Sequence, residues 1–295
     1  MMKLKMHKFN SNSVFTFCVY FIAITLAALW LYPLVFVVSA SLSSPEALLS
    51  GKVVLFPVDF NLDAYTYIFK NPNILTGYRN TIFYSVVGTL YNMILTIFAA
   101  YPLSRTDLRG RGLLTAMMTF TMFFGGGMIP TYLNLNSLGL LNTPWVMFIP
   151  SAISVTNFII MRNYFTHSVP GELIEAAHME GATQLQILRK VVLPLSKPIL
   201  GVLTIYYMAG HWNAYFSAII YLSDENLYPL QVFMRRVLIQ GGMEGMSSGS
   251  TMTDSLIYET LKYGIIVVST LPMLVGYLLV QKSFKKGIMM GSLKG

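Results

Sequence analysis

Apolar residues gather in long runs along this chain, set apart by short polar stretches rich in proline, glycine or basic residues. Runs near residues 15–41, 79–103, 112–133, 143–161, 196–222 and 263–281 each reach the roughly 20 residues that a helix needs to cross about 30 Å of hydrocarbon. The pattern predicts an all-α integral membrane protein of six transmembrane helices, forming one domain over 1–295. Pro144, Pro150 and Pro198 interrupt the fourth and fifth runs, which membrane helices tolerate where neighbours satisfy the freed carbonyls.

Composition agrees. With 55% hydrophobic and 11% charged residues and a mean hydropathy of +0.60, a chain of 295 residues has more apolar surface than one soluble core can hide. Lys3, Lys5 and Lys8 before the first run, and Ser39 to Ser41 after it, resemble a signal peptide. The run continues for over twenty residues, however, against about 7–15 for a signal core, so it reads as a retained helix. The single cysteine, Cys18, excludes an intrachain disulfide.

The formal charge of +8 does not mark a nucleic-acid binder, because the basic residues sit at the ends of the runs and not in a stripe with interleaved aromatics. With the N terminus in the cytoplasm, fourteen of the twenty lysines and arginines fall on inner segments and six on outer ones: Lys52, Lys70, Arg79, Arg235, Arg236 and Lys262. That bias follows the positive-inside rule and places both termini in the cytoplasm. Among the outer segments, LDAYTYIF at 62–69 suits a helix at the interface, 134–143 reads as a polar turn, and 223–262 carries a flexible run, QGGMEGMSSGS at 240–250.

Between the fourth and fifth runs a cytoplasmic loop, 163–198, contains EAAHMEGATQLQILRKVVLPLSKP at 175–198. Ser168 as N-cap and Pro170 are helix-start signals, and Glu172 and Glu175 place negative charge at the positive end of the helix dipole, so a short helix is expected over about 171–179. Gly181 supplies the backbone that ends it. TQLQILRKVV then winds a second helix with Leu185, Leu188 and Val192 on one stripe, Pro194 stops it, and Pro198 opens the fifth span where a missing N–H costs nothing. Ala176 and Ala177 allow close approach of another surface, and Glu175 offers it a carboxylate. An amphipathic helix lying on the bilayer is the plain alternative.

Glu175-Ala176-Ala177, Gly181-Ala182 and the Pro194 to Pro198 spacing together resemble the EAA loop by which permeases of bacterial ABC importers dock onto a separate ATPase. Where that family commonly has Asp before the glycine, this chain has Glu180. The resemblance implies that Glu175, Ala176, Ala177, Glu180, Gly181, Ala182, Pro194 and Pro198 couple to an ATPase. The tail, KKGIMMGSLKG at 285–295, is similar to the C termini of maltose-type sugar permeases, which implies ATPase contacts at Lys285, Lys286, Gly291 and Lys294. The stretches 56–69 and 123–150 resemble the branch that handles complex or uronate-containing oligosaccharides such as alginate. What the resemblance implies is a multi-pass subunit of a bacterial cytoplasmic membrane importing oligosaccharides, acidic ones included. Its implied partners are a second homologous permease in a heterodimer, two ATPase subunits that bind ATP and Mg, and an extracytoplasmic solute-binding protein.

No G-x-x-x-x-G-K-[ST] loop occurs, so the energy of ATP must come from another polypeptide. His7, His167, His178 and His211 have no metal-ligand spacing, and neither a Ser-His-Asp set nor H-E-x-x-H appears, so the chain is not expected to be an enzyme or to hold a metal or cofactor. GGG at 125–127 reads as a kink or close packing. Polar residues at membrane depth, Asn92, Asn157, His211, Trp212, Asn213 and Tyr215, are the candidates for a translocation path, since amides and hydroxyls pair with sugar hydroxyls and aromatic faces stack on sugar rings. The same asparagines would otherwise serve as interhelical glue. A secondary carrier should show inverted repeats or intramembrane charge, and a membrane-embedded enzyme a convergent catalytic set; neither signature is evident.

Overall fold

A computed structural model describes residues 11–247 and 252–291, all of them helical or irregular, with no strand among the described residues. In chain order the helices are α1 (Ser11–Ser41), α2 (Pro45–Leu49), α3 (Asp63–Lys70), α4 (Pro72–Ser104), α5 (Arg111–Phe123), α6 (Met128–Ser137) and α7 (Val155–Ser168). There follow α8 (Gly171–Met179), α9 (Gln184–Ile187), α10 (Leu193–Leu195), α11 (Lys197–Trp212), α12 (Phe216–Tyr221), α13 (Leu230–Ser247) and α14 (Met252–Gly291). Single 3-10 turns lie at Pro144–Met147 and Glu225–Leu227, and a π turn at Leu188–Val192.

Among the described residues, three helical stretches can cross a membrane unaided: Phe15–Ser41, Pro72–Ser104 and Ile257–Leu278. Two more crossings are possible if bent pairs count as one each, α5 with α6 at 110°, and Gln184–Leu195 with α11 at 84°. The first bend sits on the triple glycine, where Gly127 has φ +86° and ψ 175°, a backbone region open essentially to glycine alone. The expected fourth run, 143–161, is not a continuous helix: Pro144 starts the 3-10 turn, Pro150 falls in an irregular stretch, and α7 begins only at Val155. The expected fifth, 196–222, is divided into α11 and α12 by a break at 213–215.

The chain forms two compact units, residues 1–70 with 237–268, and residues 71–236 with 269–295. In the first, α3 is the expected amphipathic helix, burying Ala64 and Ile68, and the absence of a side chain at Gly264 lets α14 pack close to Ile68. From Phe15 to Val35 every side chain of α1 is exposed, an apolar surface that only lipid or another chain can cover.

In the second unit α4 is the spine. Its side chains at Asn80, Thr81 and Tyr84 satisfy the irregular backbone at 226–230: Asn80 donates to the carbonyls of Asn226 and Tyr228, Tyr84 donates to Leu227, and the Leu230 N–H donates to Thr81. Of the expected turn at 134–143, residues 134–137 are the last of α6; the remainder is equally built, with Asn142 at φ +55° accepting from the N–H groups of Ser223 and Asp224. The expected flexible run after residue 240 is helical as far as Ser247. Leu230, Gln231, Val232 and Phe233 are buried at the start of α13, and packing there carries the glycines at about 1 kcal/mol each. Residues 248–250 of that run lie outside the described residues, as does Lys294 of the tail, whereas Lys285, Lys286 and Gly291 belong to α14.

Candidate functional site

Two features of the second unit carry the candidate residues. The first is the elbow between α7 and α11. Helix α8 starts at Gly171 behind Pro170, whereas Ser168, expected to cap it, is the last residue of α7. It ends in a Schellman motif: Gly181 takes φ +79°, the Ala182 N–H reaches the Ala177 carbonyl at 3.0 Å, and the Gly181 N–H reaches His178 at 2.9 Å. A capping box between Thr183 and Gln186 then starts α9. Gln184 is the inner seam, accepting from the Tyr101 hydroxyl at 2.7 Å while its amide meets His178 Nε2 at 3.1 Å, which ties α8 and α9 to the end of α4.

The second elbow helix departs from expectation. Pro194 does not stop it; lacking an N–H, it stands just after a π turn in which the Leu193 N–H bonds the Leu188 carbonyl, and the chain bends only at Ser196. Ile187, Leu188 and Val192 are buried, and Leu185 points out at 61% exposure. Pro198 does sit in the first turn of α11. Glu175, Ala176, Glu180 and Gly181 are exposed, Ala177 and Ala182 are half-buried, and Leu173, Met179 and Leu185 add exposed apolar surface beside the acids. None of Glu172, Glu175 and Glu180 is in an ion pair among the described residues.

The second feature is a cavity of about 470 Å³, a volume typical of small-molecule sites. Of the six path candidates, Asn92, Asn157, His211, Asn213 and Tyr215 line it, together with Tyr206, Tyr207, Ser151, Ser154 and Ser217. Trp212 does not: its indole N–H turns away to the Ser269 carbonyl at 3.0 Å, an anchor between α11 and α14. No carboxylate, lysine or arginine is among the lining residues.

The cavity wall at 148–154 is non-helical, and buried backbone without a helix needs other partners for its polar groups. Asn92, fully buried, provides this by donating to the carbonyls of Ser151 and Ala152, both at 2.7 Å. Its own carbonyl is left to accept, so the facing His211 carries its proton on Nε2. A second chain runs beside it: the Ser154 N–H donates to Tyr207, Tyr207 donates to Thr96, and Thr96 donates to the Asn92 carbonyl one turn back. Helix α4 can come this close to the imidazole because residue 88 is glycine; a Cβ there would stand 2.6 Å from His211 Nε2. Asn157 is buried and, among the described residues, no hydrogen bond engages its side-chain amide, which leaves it to the cavity.

Sequence reasoning missed Thr96, Ser151 and Ser154. For Thr96 the available signal was a polar residue at every fourth position of α4 from Asn80 to Thr96, Gly88 excepted.

Residues 73–287 match the family described as the binding-protein-dependent transport system inner membrane component. The chain belongs to this family. Its relatives include the polygalacturonan/rhamnogalacturonan transport system permease YtcP of Bacillus subtilis, 40% identical over 96% of this chain and 99% of that protein. Protein LplC of the same organism is 37% identical over 98% of both chains. Among solved structures, a chain of a bacterial ABC transporter involved in the import of the acidic polysaccharide alginate superposes with a TM-score of 0.84 at 36% identity, covering 96% of this chain and 100% of that one. As a member of the family the protein is a multi-pass permease subunit and not an enzyme, and the elbow and cavity belong to a transporter fold.

Proposed function

We propose that the protein is the membrane subunit of an ATP-driven importer for oligosaccharides, acidic ones included, working with a solute-binding protein outside the cell, a second permease and two ATPase subunits that hold ATP and Mg. Six crossings with both termini in the cytoplasm complete the reading, the fourth and fifth being the broken stretches on either side of the elbow. The names of the relatives, a polygalacturonan/rhamnogalacturonan transport system permease and a transporter involved in the import of the acidic polysaccharide alginate, support the substrate class.

The observation that carries the reading is one continuous hydrophobic core. Ile174, Ile187, Leu188 and Val192 of the elbow share a buried cluster with Met93 of α4, Phe158 and Met161 of α7, and Leu203 and Tyr207 of α11. Tyr207 is also cavity wall. Close-packed interiors transmit displacement and do not absorb it, so a push on the exposed Glu175–Gly181 turn moves the wall of the cavity. ATP binding closes the ATPases, the elbow follows, and the cavity changes the side to which it opens, a two-state transition biased by differential binding. The tail residues Lys285, Lys286, Gly291 and Lys294 serve as a further ATPase contact.

Co-purification tests this directly. The affinity-tagged chain should bring down an ATPase whose activity rises with sugar-loaded binding protein. A Gly181→Asp variant should keep the transporter assembled but lose that stimulation; full stimulation in the variant would count against the docking role.

A further inference from the structure

Two arginines follow each other on α13, both on the outer side by the charge bias, and they are held in opposite ways. Arg236 is neutralised: its guanidinium bonds Glu225 at 2.7 Å and lies over the rings of Tyr228 and Phe233. Arg235 is exposed and, among the described residues, pairs with no carboxylate; its guanidinium is seated over the ring of Tyr215, 4.8 Å from the centroid. Tyr215 lines the cavity. The cavity lining carries no charge of its own, so Arg235, one aromatic ring away, is the cation set against it.

A guanidinium on a ring face keeps its N–H edge free, because the stacking uses its plane and not its donors. A sugar at the rim of the Tyr215 ring would meet that edge, and a uronate would present a planar carboxylate, the group a guanidinium binds by two parallel hydrogen bonds. We infer that Arg235, positioned by Tyr215, reads the carboxylate of an acidic sugar in the cavity and gives this subunit its own preference for uronate over neutral oligosaccharides. This inference rests on the oligosaccharide reading above, deepens it to a residue, and is separate from the coupling role of the elbow.

The test is equilibrium binding to the assembled permease and ATPase complex in nanodiscs, without the binding protein, so that its selectivity does not enter. The probes are α-1,4-linked tetragalacturonate and its fully methyl-esterified form, which keeps the linkage and ring hydroxyls and removes the charge. Wild-type complex should bind the acid more tightly than the ester, and Arg235→Gln should reduce that ratio about tenfold, the scale of one screened ion pair at partly exposed separation. Arg235→Lys should keep part of the ratio, Arg235→Glu should invert it, and raising the salt should narrow it in the wild type. Equal affinity of the wild type for acid and ester, or a ratio unchanged in Arg235→Gln, overturns the proposal. So does an unchanged ratio with weakened capture of the binding protein, which would assign Arg235 to a protein contact. Failure of the chain to co-purify with an ATPase, with the ratio intact on the permeases alone in nanodiscs, would instead remove the coupling reading and leave this one standing.

Discussion

Replacing Asn92 by leucine tests whether the buried amide is what holds the cavity wall. The change removes donors from two carbonyls, Ser151 and Ala152, and an acceptor from His211, at a position with no solvent exposure. At the mean value for interhelical hydrogen bonds in membranes, about 0.6 kcal/mol, three bonds come to about 2 kcal/mol. Leaving buried groups unpaired costs about 1–3 kcal/mol each, which sets a higher ceiling. Ser151 lines the cavity, so water can reach that side and the loss should fall at about 2–4 kcal/mol. At about 2–4 °C per kcal/mol, the detergent-solubilised protein should melt roughly 5–15 °C lower at a fixed scan rate. His211→Phe removes one of the same bonds, so the double variant should lose less than the sum of the singles, by about 0.5–1 kcal/mol. A shift under about 1 °C for Asn92→Leu, or strictly additive losses, would refute the clamp.

A Cβ added at Gly88 or at Gly276 would stand equally close to a neighbour, 2.6 Å, but the neighbours differ: the clamped imidazole of His211 in one case and the flexible end of Met208 in the other. Gly88→Ala should therefore destabilise by about 1–3 kcal/mol while Gly276→Ala is neutral or mildly stabilising, read from paired melting curves. Gly181 has φ +79° with open space around it, so Gly181→Ala should cost about 1 kcal/mol of backbone strain and Gly181→Asn less, since Asn adopts the left-handed region; equal losses would exclude the Schellman cap as the cause. Trp212→Phe should lower stability by about 1 kcal/mol through the lost bond to Ser269 and leave oligosaccharide uptake near wild type, whereas Asn157→Leu should impair uptake with little change in melting.

The long apolar runs were legible because membrane depth and helical rise fix a length that composition alone reveals, and α1, α4 and α14 follow it. The elbow was legible because its signals are local: Gly181 reads as a cap from its neighbours alone. The breaks were not. Pro150 hints at one, but what makes 148–154 stable as irregular backbone is an amide 59 and 60 positions upstream, a pairing no local pattern encodes. Leu185 was assigned to the wrong face because the side of α9 that meets the core is the one carrying Ile187 and Leu188, a choice set by packing against distant helices and not by the local stripe. Trp212 sat in the right run of sequence, yet only the rotation of α11 decides that it faces α14 while His211 and Asn213 face the cavity.

The central claim is that the Glu175–Gly181 turn meets an ATPase inside the cell. With the exposed native thiol removed as Cys18→Ser, a single cysteine placed at Ala176 gives the most direct measurement, cross-linking in intact membranes with a short bifunctional maleimide. The account predicts one adduct, between this chain and the nucleotide-hydrolysing subunit, changing in yield when ATP is added. Absence of that adduct from an assembled, transport-competent complex would contradict it.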